Sequence, residues 1–167
     1  AFSCPAPSFG YSFNENACVT NMLVEALPIT ISLAIGALLL WLTVGIGLGI
    51  VAAKFKNRWP DTGSSVFVLL ATSLPTFVTG LALLIWVTIK WKLVPLSLSG
   101  YVSIFDNPFG FFQYFILPWI TLAIAYAAIY TRFTRAALLE TLGEDYIRTA
   151  RAKGVGERVV FFKHTLR

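Results

Sequence analysis

Charged residues are scarce in this chain of 167 residues. They make up 13% of the sequence, against 57% hydrophobic residues, whereas soluble domains carry roughly a quarter charged residues. The mean hydropathy is +0.74. This composition argues against a disordered chain, a coiled coil and a water-soluble enzyme, and it predicts a membrane protein.

Asp, Glu, Lys, Arg and His are absent from three long stretches, residues 26–53, 62–89 and 107–131. Proton relays and ion-coupled transport need such groups inside the membrane, so their absence argues against an ion-driven transporter. The chain also lacks the Gly-x-x-x-x-Gly-Lys-Ser/Thr loop that cradles nucleotide phosphates. The single histidine, His164, lies outside the three stretches and cannot form a metal site alone. We therefore expect no catalytic residue, metal ligand or cofactor in this chain.

The three stretches predict an all-α integral membrane protein with three transmembrane helices, since about 20 apolar residues cross a bilayer core. Residues 1–26 contain no Lys or Arg, whereas basic residues are concentrated in 132–167. The positive-inside rule then places residue 1 outside and residue 167 in the cytoplasm. Basic residues that flank apolar runs indicate topology and not nucleic-acid binding. The predicted segments alternate between outside, membrane and cytoplasm and cover residues 1–26, 27–53, 54–61, 62–89, 90–106, 107–131 and 132–167.

Both cysteines, Cys4 and Cys18, fall in the outward segment. An oxidising compartment permits a disulfide between them, and two free thiols are the alternative.

Prolines and glycines punctuate the apolar stretches. Pro75 and Pro118 lie inside the second and third stretches, where each removes a backbone hydrogen bond, so we expect helix kinks at both. Pro75 must bend or interrupt the second span. Gly45 and Gly49 stand four residues apart in the first stretch. This spacing favours close packing against another helix.

A short separate helix is predicted over residues 145–153. Acidic residues stand at its start, and Lys153-Gly154 supplies a basic last turn and a left-handed stop. Its apolar side chains share one face and comprise Tyr146, Ile147 and Ala150. Such a helix suits docking in a partner's groove, and an interfacial helix on anionic lipid is the equal alternative.

Residues 144–154 strongly resemble the cytoplasmic signature of ABC-importer permease subunits of the dipeptide/oligopeptide/nickel branch. Supporting matches lie in TRFTRAALLETLG, ILPWITLA and LPTF, so the resemblance covers nearly all of residues 20–167. In the wider family the signature has Glu where this chain has Arg148, and Pro where it has Arg167. These departures look like the variant of the peptide branch.

The resemblance implies a type I importer permease with six helices, of which this chain is a fragment holding the second to fourth. It also implies a second, related permease subunit, two ATPase subunits that bind ATP and Mg, and an external substrate-binding protein in a bacterial inner membrane. The helix over 145–153 would be the coupling helix seated in an ATPase subunit. By this resemblance the coupling residues are Glu144, Asp145, Tyr146, Ile147, Arg148, Ala150, Arg151, Lys153 and Gly154.

Two classes of function remain open at this point. The first is a permease subunit, passive in chemistry, whose cargo is a dipeptide, a longer peptide, nickel or another small solute. The second is a channel-like or scaffold membrane protein whose basic cytoplasmic helix binds lipid.

Overall fold

The computed structural model describes residue 4, residues 8–93 and residues 101–165. The predicted segments 1–26, 90–106 and 132–167 therefore lie partly outside the described residues. The described residues form helices and one short hairpin, joined by turns and loops. The elements in order are β1 (Tyr11–Ser12), β2 (Ala17–Cys18), α1 (Val19–Lys54), α2 (Trp59–Ser73), α3 (Thr76–Leu83), α4 (Pro108–Gly143), α5 (Asp145–Ala152) and α6 (Glu157–Val159). Two of them continue as π-helices, α3 over Leu84–Lys90 and α6 over Val160–Thr165.

The hairpin of β1 and β2 precedes α1 directly. Its antiparallel register pairs Tyr11 with Cys18, and the backbone N–H of Val19 donates to the carbonyl of Gly10 at 3.1 Å. Cys4 and Cys18 are joined by the disulfide that the sequence predicted. The hairpin is thus tied to the first turn of α1.

Two helices, α1 and α4, are each long and apolar enough to cross a membrane. Both are longer than the predicted spans over 27–53 and 107–131. Residues 19–26, expected in the extracytoplasmic segment, are the first two turns of α1, and residues 132–143 continue α4 without a break. The helix α4 is continuous through Pro118. The kink expected at Pro118 stays a prediction.

The second apolar stretch is not the single helix expected over 62–89. It forms α2 and α3, whose axes differ by 103° across a short break, as in a broken span or a re-entrant loop. Leu74 and Pro75 are extended in this break, and the backbone N–H groups of Val78 and Thr79 donate to the carbonyl of Pro75. Pro75 therefore ends one helix and starts the next, which is a larger effect than a kink.

Close packing of α1 on α4 depends on the two glycines singled out by their spacing. A Cβ added to Gly45 would lie 2.8 Å from the Cβ of Tyr130, and one on Gly49 would lie 2.5 Å from the Cβ of Thr134. Buried Thr131 donates a hydrogen bond to the carbonyl of Gly45 at 3.2 Å. The prediction of a close helix–helix contact at these glycines is confirmed.

Aromatic side chains fill the opposite end of the α1–α4 contact, nearer the hairpin. Their buried core consists of Ala37, Phe111, Phe115 and Trp119. The indole of Trp119 occupies the space where a Cβ of Gly36 would stand, and its Nε1 donates to the carbonyl of Ser32 at 3.1 Å. Glycines on α1 thus leave room for the α4 backbone at Gly45 and Gly49, and for the indole of Trp119 at Gly36.

Candidate functional site at the basic end of the helices

The short helix α5 has well-defined ends. It begins after extended Glu144, whose carbonyl accepts from the N–H of Ile147. At its other end the N–H of Val155 donates to the carbonyl of Ala150, and the N–H of Gly154 donates to that of Arg151. Gly154 has φ +79°, so this is a Schellman stop that requires the left-handed conformation. The observed helix ends one residue before the predicted boundary, with Lys153 as its cap.

The apolar face predicted for α5 does not point outward as one surface. Ile147 is fully buried, Ala150 is partly buried, and Tyr146 is about half exposed, at 51%. The helix packs on α4 and on the π-helix Val160–Thr165, in which Val160 is also fully buried. Spacing shows which residues share a face but not what covers it, and here the chain's own following segment covers Ile147. Ile147 therefore packs within the chain, whereas Tyr146 of the predicted face stays about half exposed.

Ion pairs fix the remaining charges of α5. Arg151 makes two hydrogen bonds to the carboxylate of Glu157, at 2.8 and 3.2 Å, and so ties α5 to α6. Arg148 lies 3.5 Å from Asp145 one turn earlier, with both side chains exposed. We call the solvent-facing residues the outer face of α5; they are Asp145, Arg148, Thr149, Ala152 and Lys153.

An ion pair between Asp61 and Arg135 lies at the same end of the helices as α5, and it was not predicted from the sequence. Asp61, at the start of α2, is 5% exposed. Its carboxylate accepts from Nε and Nη2 of Arg135 on α4, at 2.5 and 2.9 Å, and from the backbone N–H of Asn57 at 2.9 Å. Sequence reasoning placed Asp61 in a cytoplasmic loop and Arg135 in a basic segment. The one available signal was that Asp61 is the only acidic residue between Lys54 and Ile89.

We call the end of the helices that carries residues 54–61 and 132–165 the basic end. It combines α5, which is fixed to α4, with an ion pair that links α2 to α4. Within the described ranges, no group of three His, Cys, Asp or Glu side chains is placed to hold a metal ion. Hydrogen bonding and ion pairing account for the polar groups named above. The arrangement fixes α5 to the end of α4 and links α2 to α4.

Comparison with known families decides which class this is. Residues 45–167 match the family described as the binding-protein-dependent transport system inner membrane component. The chain belongs to this family. Residues 1–34 match the corresponding N-terminal family, which extends the similarity to the first 19 residues, where sequence analysis found none.

Individual relatives are similar over nearly the whole chain. A peptide transport system permease protein of Brucella abortus is 39% identical over 160 residues, which cover 95% of this chain and 50% of the relative. The peptide ABC transporter permease protein y4tP of Sinorhizobium fredii is 36% identical over 96% of this chain and 50% of its own length. The glutathione transport system permease protein GsiC of Escherichia coli K12 is 36% identical over 95% and 49%.

The chain thus spans about half the length of the curated relatives it matches. The resemblance to importer permeases of the peptide branch is confirmed, and the scaffold alternative is not favoured. The family match and the two long apolar helices together support a membrane protein.

Proposed function

We propose that this chain forms part of the translocation pathway of an importer for peptides, driven by ATP hydrolysis in separate subunits. Membership of the inner-membrane transport family supports the transport role. Relatives named for peptide and glutathione transport support peptides as the cargo class. The chain itself contributes passage and coupling, and we expect it to hydrolyse no ATP when purified alone, because it lacks a phosphate-binding loop.

The proposed partners are a second permease subunit, two ATPase subunits that bind ATP and Mg, and an extracytoplasmic substrate-binding protein. We place the basic end in the cytoplasm, since Lys and Arg concentrate there. The hairpin with its disulfide then lies outside, where an oxidising environment sustains the Cys4–Cys18 bond.

The observation that supports this proposal most directly is the way in which α5 is fixed to the end of α4. Buried Ile147, the Schellman stop at Gly154 and the Arg151–Glu157 pair hold the helix on the end of α4. Because α4 is continuous from Pro108 to Gly143, a displacement of α5 passes into the membrane as a rigid-body movement. The outer face of α5 remains for an ATPase subunit.

A charge on the outer face tests this assignment. Thr149 is exposed, and its hydroxyl donates to the carbonyl of Asp145 within its own helix. In the assembled complex, Thr149→Glu should bury an unpaired charge against the ATPase subunit and abolish both its recruitment and substrate-stimulated ATP hydrolysis, with normal membrane insertion. Thr62→Glu is the matched control, an exposed threonine at the same end but on α2. Normal recruitment and uptake by Thr149→Glu would refute the coupling role of this face.

A further inference from the structure

An open groove lies where α1 ends and α2 begins. It has a volume of about 740 Å³. Apolar side chains from both helices form its walls, and a cation and an indole stand at its mouth; the principal residues are Leu48, Val51, Phe55, Phe67, Arg58 and Trp59. We propose that this groove binds a phospholipid with an anionic headgroup. The proposal does not depend on the cargo or on the ATPase contact.

The walls of the groove suit an acyl chain. Val51 lies in the last turn of α1 and Phe55 is the C-cap of that helix; they are 41% and 37% exposed. Trp59 is 85% exposed at the first position of α2. Tryptophan favours the membrane–water interface, where its ring is apolar and its N–H is solvated. The groove therefore lies at the level where acyl chains meet headgroups.

The charges around the groove suit a phosphate. Arg58 lines the groove and Lys56 lies two residues before it, whereas the Nζ of Lys54 lies 5.7 Å from the centre of the Phe162 ring. The nearest acidic residue in sequence is Asp61. Asp61 is turned inward, where Arg135 and the N–H of Asn57 use its carboxylate. None of the three cations forms an ion pair with any residue that the structure describes. The junction consequently has uncompensated positive charge beside an apolar surface.

An anionic phospholipid satisfies both halves of this site, since its acyl chain covers the apolar walls and its phosphate faces the cations. Another apolar helix in the groove would leave the cations unpaired and partly desolvated, which is unfavourable. A soluble phosphate would leave the walls uncovered. The headgroup charge and the acyl chain are both required.

Quenching of Trp59 by brominated lipids tests the site. The assembled transporter is placed in nanodiscs that contain brominated phosphatidylglycerol or brominated phosphatidylcholine, and fluorescence is compared between the native protein and Trp59→Phe. The difference isolates Trp59 from the other four tryptophans. We expect brominated phosphatidylglycerol to quench Trp59 at a much lower lipid fraction than brominated phosphatidylcholine.

Charge variants test the headgroup. Arg58→Gln should weaken the preference for phosphatidylglycerol about fivefold, the contribution of one cation near an anionic surface. Arg58→Lys should retain it, which separates loss of charge from loss of fold. Arg132→Gln is the control and should have no effect, because Arg132 is an exposed cation on α4 that does not line the groove.

Three results would overturn the proposal. Equal quenching by the two lipids, or an Arg58→Gln variant with an unchanged preference, would show a groove without headgroup recognition. Quenching that does not depend on Trp59 would show that protein covers the groove. Relief of quenching by inorganic phosphate alone would show a site for a soluble anion.

Discussion

The α1–α4 pair and the arm formed by α2 and α3 are attached in different ways. Along α1–α4, small residues bring the helices together, as at Gly45 and Gly49. The arm contacts α4 through both of its helices, and α2 also contacts α1. Its contacts with α4 include the Asp61–Arg135 pair and the place where a Cβ added to Gly80 would lie 3.1 Å from Cγ2 of Thr121. No residue of α3 is buried.

This contrast shows how one chain can contain a rigid part and a movable part. The α1–α4 pair is the rigid part, which we call the frame, and the arm of α2 and α3 is the movable part. Close backbone packing through small residues provides cohesion in lipid, where apolar side chains gain nothing from leaving water. The break at Pro75 and the absence of buried residues in α3 leave α3 able to change its angle. We infer that α1 and α4 move together and that α3 moves relative to them.

The largest expected effect comes from filling the α1–α4 contact. Gly49→Leu places a Cβ 2.5 Å from that of Thr134 and should destabilise the folded protein by about 3 kcal/mol through overpacking. Gly47→Leu is the matched control on the same helix, because nothing lies within 4 Å of its Cβ position. Thermal unfolding in detergent measures both. Equal stability of the two variants would contradict the frame.

The brace of the arm is next in magnitude. Asp61→Asn or Arg135→Gln should each cost about 2 kcal/mol, less than for a fully buried pair because the Arg135 side chain is 32% exposed. In a double-mutant cycle, the second substitution should add little to the first. Arg132→Gln, an exposed neighbour, should be near neutral. Additive losses from Asp61 and Arg135 would mean that the two side chains are not coupled.

The smallest effect concerns the stop of α5. Gly154→Ala forces a side chain into the left-handed region at φ +79° and should weaken α5 by about 1 kcal/mol. Gly156→Ala is the control, since Gly156 has φ −59° and open space around it. Amide hydrogen exchange of α5 should accelerate only in Gly154→Ala. Acceleration in both variants, or in neither, would argue against the Schellman stop.

Local rules were sufficient for much of this fold. The apolar stretches, the close contact at Gly45 and Gly49, the stop at Gly154 and the Cys4–Cys18 bond each follow from a few neighbouring residues and their surroundings. The break at Pro75 was expected in place but not in size, because proline removes a hydrogen bond without setting the angle that results.

Long-range pairings were beyond the sequence for a physical reason. Asp61 and Arg135 lie on different helices. No local sequence pattern indicates that Asp61 will be buried, or which of several arginines will pair with it. The inward orientation of Ile147 likewise depends on Val160 and its neighbours folding back over α5. Periodicity defines a face, whereas its occupant is determined by tertiary packing.

The most direct test is to measure distances by pulsed electron–electron double resonance in the assembled transporter, with and without ATP. It asks whether α1 and α4 move together while α3 moves relative to them. Spin labels are placed at exposed positions on α1, α4 and α3, at Ile35, Ile129 and Phe77. We predict that the distance from Ile35 to Ile129 stays unchanged and that the distance from Phe77 to Ile129 shifts on nucleotide binding. A change between Ile35 and Ile129, or an unchanged distance from Phe77, would contradict the account.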